Sequence, residues 1–248
     1  MTSELSAHEI GDGLPVLIIH GWQGDGRVEE LDFEPIFSQI LGLRRIYIDL
    51  PGMGKTPANN VKDLDDMYHR LEQFIDSRLR GSRFVLIGTS CGGYLARAIA
   101  QKYSDQIDGL LLRVPLIEPD DNKRDLDAFQ ALVRDQQIMS SISAEDKETL
   151  GDILVQTPAY VAALKAKFEK AYLPAQAASD TKVLGPIRND LQRYSLSWSL
   201  DDKDVKFPCT DTHYRGTHGI PVDENGVFEA LVRDWTTRIN EWRARSVD

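Results

Sequence analysis

The chain is poor in the features that would tie it to a membrane, a secreted scaffold or a polyanion. Only two cysteines occur among its 248 residues, Cys91 and Cys209, so a disulfide framework does not hold it together and a reducing compartment fits it better than a secreted one. No apolar run is long enough to cross a bilayer, and Met1 to Leu5 has neither the basic start nor the apolar stretch of a secretory signal; the expectation is a cytoplasmic protein without a membrane partner. Basic residues are also scarce, 29 Lys and Arg against 39 Asp and Glu. The net charge of −10 favours solubility and argues against nucleic acid as the main partner. Internal repeats and low-complexity tracts are absent. What remains, 42% hydrophobic and 27% charged residues, is ordinary globular composition in a length that fits one large domain or a core with an insertion.

The apolar residues alternate between two periods. Val16-Leu17-Ile18-Ile19-His20, Arg45-Ile46-Tyr47-Ile48-Asp49, Phe84-Val85-Leu86-Ile87 and Gly109-Leu110-Leu111-Leu112-Arg113-Val114 are short continuous runs of the buried-strand type. Between them, Leu31 to Leu43 reads as a crossover helix, and Val61, Leu64, Met67, Leu71, Phe74, Ile75 and Leu79 recur at helical spacing. Strand, helix and parallel strand in succession predict an α/β fold, a mainly parallel sheet with helices on both faces. From Pro119 the rhythm breaks into a charged, helix-rich stretch lasting to about Leu191, whose clearest helix is Val161 to Phe168, between Pro158 and Pro174. The natural organisation is a core from residues 1–118 and 192–248 with a helical lid inserted at 119–191. A last helix, Val227 to Trp242, packs on the sheet through Val227, Leu231, Val232, Trp235 and Ile239.

The chemistry concentrates after the third apolar run. Gly88-Thr89-Ser90-Cys91-Gly92 has a strand in front and a helix behind, and this makes Ser90 a candidate nucleophile. A serine on so sharp a turn presents its hydroxyl outward, small residues two before and two after let neighbouring backbone pass, and the following helix aims its N-terminal amides at developing negative charge. Acyl transfer further needs oxyanion donors, a base and usually a carboxylate that orients the base. The turn His20-Gly21-Trp22-Gln23-Gly24 offers the Trp22 amide as one donor, and the Cys91 amide is the other. His218, on a loop before the last helix, is the candidate base. Of the other histidines, His213 is its nearest competitor, His69 reads as a solvated helical residue, and His20, ending a strand, reads as shaping the oxyanion turn. Gly52-Met53-Gly54-Lys55-Thr56 ends like a phosphate-binding loop, but that pattern requires glycine at position 49, where Asp49 stands; the segment reads as the turn after the second strand.

Taken together, His20-Gly21-Trp22-Gln23-Gly24, Asp49-Leu50-Pro51-Gly52-Met53-Gly54, Gly88-Thr89-Ser90-Cys91-Gly92-Gly93 and the late His218 resemble the α/β-hydrolase superfamily. The resemblance runs from Leu14 to Arg193 and resumes near Gly216. It implies Ser90 as nucleophile, His218 as base and a lid inserted after the Leu110 strand. The departure falls between Leu200 and His218, where relatives carry a strand, the acid-bearing turn, a helix and another strand, elements needing roughly 25 residues or more. This chain is too short there, so a strand or more is expected to be missing near the C-terminal edge of the sheet; a homodimer is one way to cover the edge so exposed. Asp211 is the carboxylate nearest the expected place. Glu118, Asp120 and Asp121, after the Leu110 strand, offer a second route, because some superfamily members carry the acid there.

The functional expectation is a serine hydrolase acting on a small ester or related acyl substrate, with no cofactor and no metal. Two alternatives from other classes stand beside it. One is a ligand-binding protein that keeps the pocket with hydrolysis impaired, and the other is a lyase or cyclase that uses the oxyanion site on an enolate.

Overall fold

The computed structural model describes residues 4–124, 128–200 and 225–245. Five strands form one sheet: β1 (Ala7–Ile10), β2 (Leu14–Ile19), β3 (Leu43–Ile48), β4 (Phe84–Thr89) and β5 (Ile107–Arg113), in the order β1-β3-β2-β4-β5. β1 runs antiparallel to β3, and every other pairing is parallel. β2, β4 and β5 agree with the apolar runs to within two residues at each end, because buried parallel strands are continuously apolar. β1 carried no such signal; its middle residues, His8 and Glu9, are exposed at the sheet edge, where polar side chains are tolerated.

Helices α1 (Gly26–Phe37), α2 (Leu64–Arg78) and α3 (Cys91–Lys102) make the crossovers. The alternation along β2 divides the core. Leu17 and Ile19 face α2 and α3 in one apolar layer with Leu71, Phe74, Leu95 and Ile99, whereas Val16 and Ile18 face Phe33, Ile36 and Phe37 of α1 in the other. The crossover helix starts at Gly26 and ends at Phe37, displaced from the expected Leu31 to Leu43. Two carboxylates fix its start: Asp25 caps it by accepting from the Arg27 amide at 3.0 Å, and Asp49 Oδ1 accepts from the Gly26 amide at 2.8 Å. At the other end Leu41 lies exposed in a turn and Leu43 opens β3.

Beyond β5 the described chain is helical, with α4 (Gln136–Ser141), α5 (Ala144–Leu150) and α6 (Pro158–Lys167). Pro158 occupies the first turn of α6, where its missing amide costs nothing, and Thr157 caps the helix. One π-helical segment, Phe168–Tyr172, continues into α7 (Leu173–Ala177), followed by α8 (Thr181–Arg188). These helices have a small apolar cluster of their own, built on Leu150, Ile153, Leu154, Tyr160 and Leu164. The last helix, α9 (Asn225–Arg245), lies beside α1 and β5 and buries Phe228, Val232 and Ile239 in the second layer. Among the described residues no helix is long and apolar enough to cross a membrane.

Phe33 is fully buried where α1, α9 and the sheet meet, stacked on Phe37 at 5.4 Å and tilted against Phe228 at 5.3 Å. Phe33→Ala is expected to cost about 3–5 kcal/mol through lost burial and the cavity left behind. Urea unfolding checks this; a loss below about 1 kcal/mol at unchanged slope would mean that this layer does not pack as described.

Candidate active site

Ser90 closes β4 and opens α3 with φ +53° and ψ −120°, on the positive-φ side of the backbone map that costs a non-glycine residue on the order of 1–3 kcal/mol. Although serine is a favoured N-cap, the Ser90 side chain makes no capping bond, and the residue is part-exposed. Its main chain is tied on both sides. The Ser90 amide donates to the Arg113 carbonyl at 3.1 Å, and its carbonyl accepts from Gly93 at 2.9 Å and Leu116 at 2.9 Å. Gly92 makes the turn possible, since a Cβ there would overlap the carbonyl oxygens of Ile19 and His20 at the end of β2.

The turn after β2 lies against this elbow. A Cβ built on Gly21 would sit 3.1 Å from Ser90 Cβ and 3.8 Å from Oγ. The turn is closed by the Gly24 amide donating to the Gly21 carbonyl at 3.1 Å, with Gln23 at φ +55°. Among the described residues, neither the Trp22 amide nor the Cys91 amide has a backbone acceptor. His20 is fully buried and works as a staple. With Nδ1–H donating to the Gly21 carbonyl (2.7 Å), Nε2 is left to accept from the Leu50 amide (2.9 Å), and that tautomer leaves no nitrogen for proton transfer at Ser90.

Asp49 organises the turn after β3. Its Oδ2 accepts from the Lys55 amide at 2.8 Å, its carbonyl accepts from Thr56 Oγ1 at 2.7 Å, and Gly54, at φ +54°, leaves no room for a Cβ beside the carboxylate. The amides of Gly26 and Lys55 are thus both met by one carboxylate of the chain itself.

Aromatic and charged groups flank the elbow. The Tyr194 ring meets Trp22 edge-on at 5.0 Å and carries the Arg188 guanidinium 4.6 Å above it. Burial pushes the Cys91 thiol up to about 12, a hydrogen bond with Tyr194 opposing it only in part, so Cys91 is a protonated packing residue and no rival to Ser90. Of the carboxylates after β5, Glu118 accepts from the Asp120 amide at 2.9 Å, Asp120 from Asn122 at 3.0 Å, and Asp121 pairs with Arg124 at 3.0 Å and Arg188 at 3.4 Å. Glu118 and Asp120 brace their own loop, and Asp121 also ties that loop to α8. His69 is exposed and bonded to Glu72 at 2.8 Å, and His8 reaches Glu30 at 2.9 Å. His218, Asp211, His213 and Cys209 lie outside the described residues. Among the described residues no cluster of His, Cys, Asp and Glu could hold a metal ion.

The sequence reading missed a buried ionic group behind the elbow. Arg113 donates to Glu29 at 2.7 Å, to Asp32 and to Thr89 Oγ1 at 3.1 Å; Thr89 donates to Glu29 at 2.8 Å, and Lys167 to Asp32 at 2.9 Å. Two signals could have found it: an arginine ending an otherwise apolar strand run, and two acids three apart on a helix face shared with Val28 and Phe33.

A family model of the α/β hydrolase fold matches residues 15–203. The chain belongs to the α/β-hydrolase family. Among curated relatives of this α/β hydrolase, a pimeloyl-[acyl-carrier protein] methyl ester esterase of Shewanella woodyi is 32% identical over 111 residues, 45% of this chain and 40% of that protein. A 2-succinyl-6-hydroxy-2,4-cyclohexadiene-1-carboxylate synthase of Salmonella newport is 34% identical over 101 residues, 40% of this chain and 38% of that protein. The match thus spans about two fifths of the length of each. An alpha/beta superfamily hydrolase from Oenococcus oeni PSU-1 superposes with TM-score 0.77 at 23% identity, over 96% of this chain and 97% of that one, and so shares the fold. An esterase from Exiguobacterium antarcticum does so with TM-score 0.57 at 18% identity, over 94% and 95%.

Because a side chain at 92 would collide with backbone that cannot move without opening β2, Gly92→Ala is expected to destabilise the fold by about 2 kcal/mol or more, beyond the usual surface range. Thermal unfolding tests this; an unchanged Tm would show that the elbow has slack.

Proposed function

We propose that the protein is a cytoplasmic serine hydrolase that cleaves a small ester or related acyl substrate through an acyl-enzyme on Ser90. The observation that carries this reading is the backbone at Ser90, held on the positive-φ side at the head of α3 without its hydroxyl being spent on a cap, beside a glycine turn packed on its Cβ. In the proposed cycle Ser90 Oγ attacks the carbonyl carbon while His218 takes its proton, and the Trp22 and Cys91 amides receive the oxyanion. Collapse of the tetrahedral species breaks the bond to the leaving alkoxide, which takes that proton. Water then attacks the acyl-enzyme with His218 again as base, releasing the acid and Ser90. Asp211 is the carboxylate proposed to orient His218. The helical segment 119–191 is proposed to cover the site and set selectivity, with Tyr194 and Arg188 at its inner margin.

A second reading is favoured by the similarity to the cyclohexadiene-carboxylate synthase, namely a non-hydrolytic enzyme that uses the same two amides on an enolate. Turnover in ¹⁸O-labelled water separates the two, because only hydrolysis places the label in the product acid.

A fluorophosphonate is expected to label wild-type protein at Ser90, with Ser90→Ala unlabelled and inactive on p-nitrophenyl esters. Asp211→Asn is expected to lower kcat by up to about 10⁴-fold at nearly unchanged KM. Folded protein that resists labelling at Ser90 contradicts the reading, and an Asp211→Asn variant at full rate removes Asp211 from the triad.

A further inference from the structure

The last rung of the β4–β5 ladder pairs Thr89 with Arg113, and each is followed at once by a non-glycine residue at positive φ, Ser90 at +53° and Val114 at +38°. Positive φ is uncommon for any non-glycine residue and a genuine outlier for a β-branched one, so two paired strands end in strain side by side. Such conformations persist only where their surroundings over-determine them.

The surroundings here are polar and almost fully buried. Thr89 is 3% exposed, Arg113 4%, Glu29 1%, Asp32 7% and Lys167 6%. The Thr89 hydroxyl accepts from Arg113 Nε at 3.1 Å and donates to Glu29 Oε2 at 2.8 Å, while Arg113 uses its terminal nitrogens on Glu29 and Asp32. One residue therefore grips the elbow twice. Its guanidinium holds the Thr89 side chain and its carbonyl holds the Ser90 amide at 3.1 Å. Lys167, the last residue of α6, adds a second cation on Asp32 at 2.9 Å and balances two carboxylates against two cations. Burial works against the Arg113 charge, but Glu29 and Asp32 outweigh it and hold its pKa above the usual value; burial raises Glu29 and lowers Lys167, with their partners opposing.

So much buried charge is a poor source of stability, since apolar packing of equal volume often does as well or better. Its geometric consequence is specific: it fixes the residue immediately before the candidate nucleophile and joins that residue to the helical segment through a single lysine.

We propose that Thr89, Arg113, Glu29, Asp32 and Lys167 form a positioning clamp that holds Ser90 in its reactive conformation and makes that conformation depend on the docking of α6. This rests on the reading of Ser90 as nucleophile. Thr89 and Lys167 touch no substrate; they act through the elbow backbone.

The test measures two quantities on intact protein: the rate of Ser90 labelling by a fluorophosphonate and amide hydrogen exchange across residues 88–94. In Thr89→Val, which keeps shape and loses the hydroxyl, labelling is expected to slow by about 10-fold or more and exchange to quicken at the elbow while β3 and α2 stay protected; such a loss is the size removal of one buried polar partner produces. Thr89→Ser is expected to restore both. Lys167→Met, away from the strand, should move both readouts in the same direction, with Lys167→Arg recovering them and the exposed Lys170→Met behaving as wild type. It also keeps the test open if Thr89→Val does not fold. Wild-type labelling rates with unaltered elbow exchange in either loss variant would overturn the clamp, as would exchange that quickens uniformly across the sheet, the mark of a merely structural role. If wild-type protein is never labelled yet elbow exchange responds as stated, the clamp stands and the nucleophile reading fails.

Discussion

The strained peptide at the end of β4 is the constraint from which the rest of the site follows. A serine at φ +53° between a strand and a helix requires that neighbouring chains come very near, and Gly92 permits the end of β2 to do so. The same proximity sets the His20 to Gly24 turn against Ser90 and makes the buried His20 a staple between that turn and Leu50. Strain of on the order of 1–3 kcal/mol is a noticeable share of a domain's net stability, so it must be held by structure that is stable for other reasons. Here that structure is the parallel core, with β2 and β4 between the α2 and α3 layer and the α1 and α9 layer and the half-buried leucines of β5 packed against both.

Two kinds of polar device surround the elbow, and they differ in what they do. Asp49 and His20 satisfy loop amides, each by short bonds to backbone, and fix the shapes of turns. The Glu29, Asp32, Arg113 and Lys167 group instead links separate elements, α1, β5 and α6, behind Ser90. Breaking a buried ion pair at one partner leaves an uncompensated charge and costs several kcal/mol. The buried pairs therefore resist separation of the elements they link, and they connect the helical segment to the backbone around Ser90.

Much of this was legible in the sequence, and the reasons are physical. Parallel strands covered on both faces have no polar alternation, so β2, β4 and β5, fully or largely buried, stood out as continuous apolar runs, and the strand, G-x-S-x-G, helix succession located Ser90 and its tight turn. β1 was invisible because half of its four residues are exposed and polar, and an edge strand needs no apolar run. The crossover helix was misplaced because its start is set by Asp25 and by Asp49, a residue 23 positions away from the amide it binds. The same kind of distance hid the ionic group. Arg113 meets Glu29 and Asp32 across 84 and 81 residues, and no local pattern reports a tertiary pairing. His218 and Asp211, read from order in the chain, fall outside the described residues.

The most direct test of the central claim, that Ser90 is held for attack beneath two waiting amides, is a crystal structure with a peptide-free alkyl or aryl boronic acid, which mimics the tetrahedral intermediate. The account predicts a covalent bond from Ser90 Oγ to boron, with one boron oxygen about 2.7–3.1 Å from both the Trp22 and Cys91 amide nitrogens. Boron bound elsewhere, or bound to Ser90 with its oxygens turned away from both amides, would contradict it.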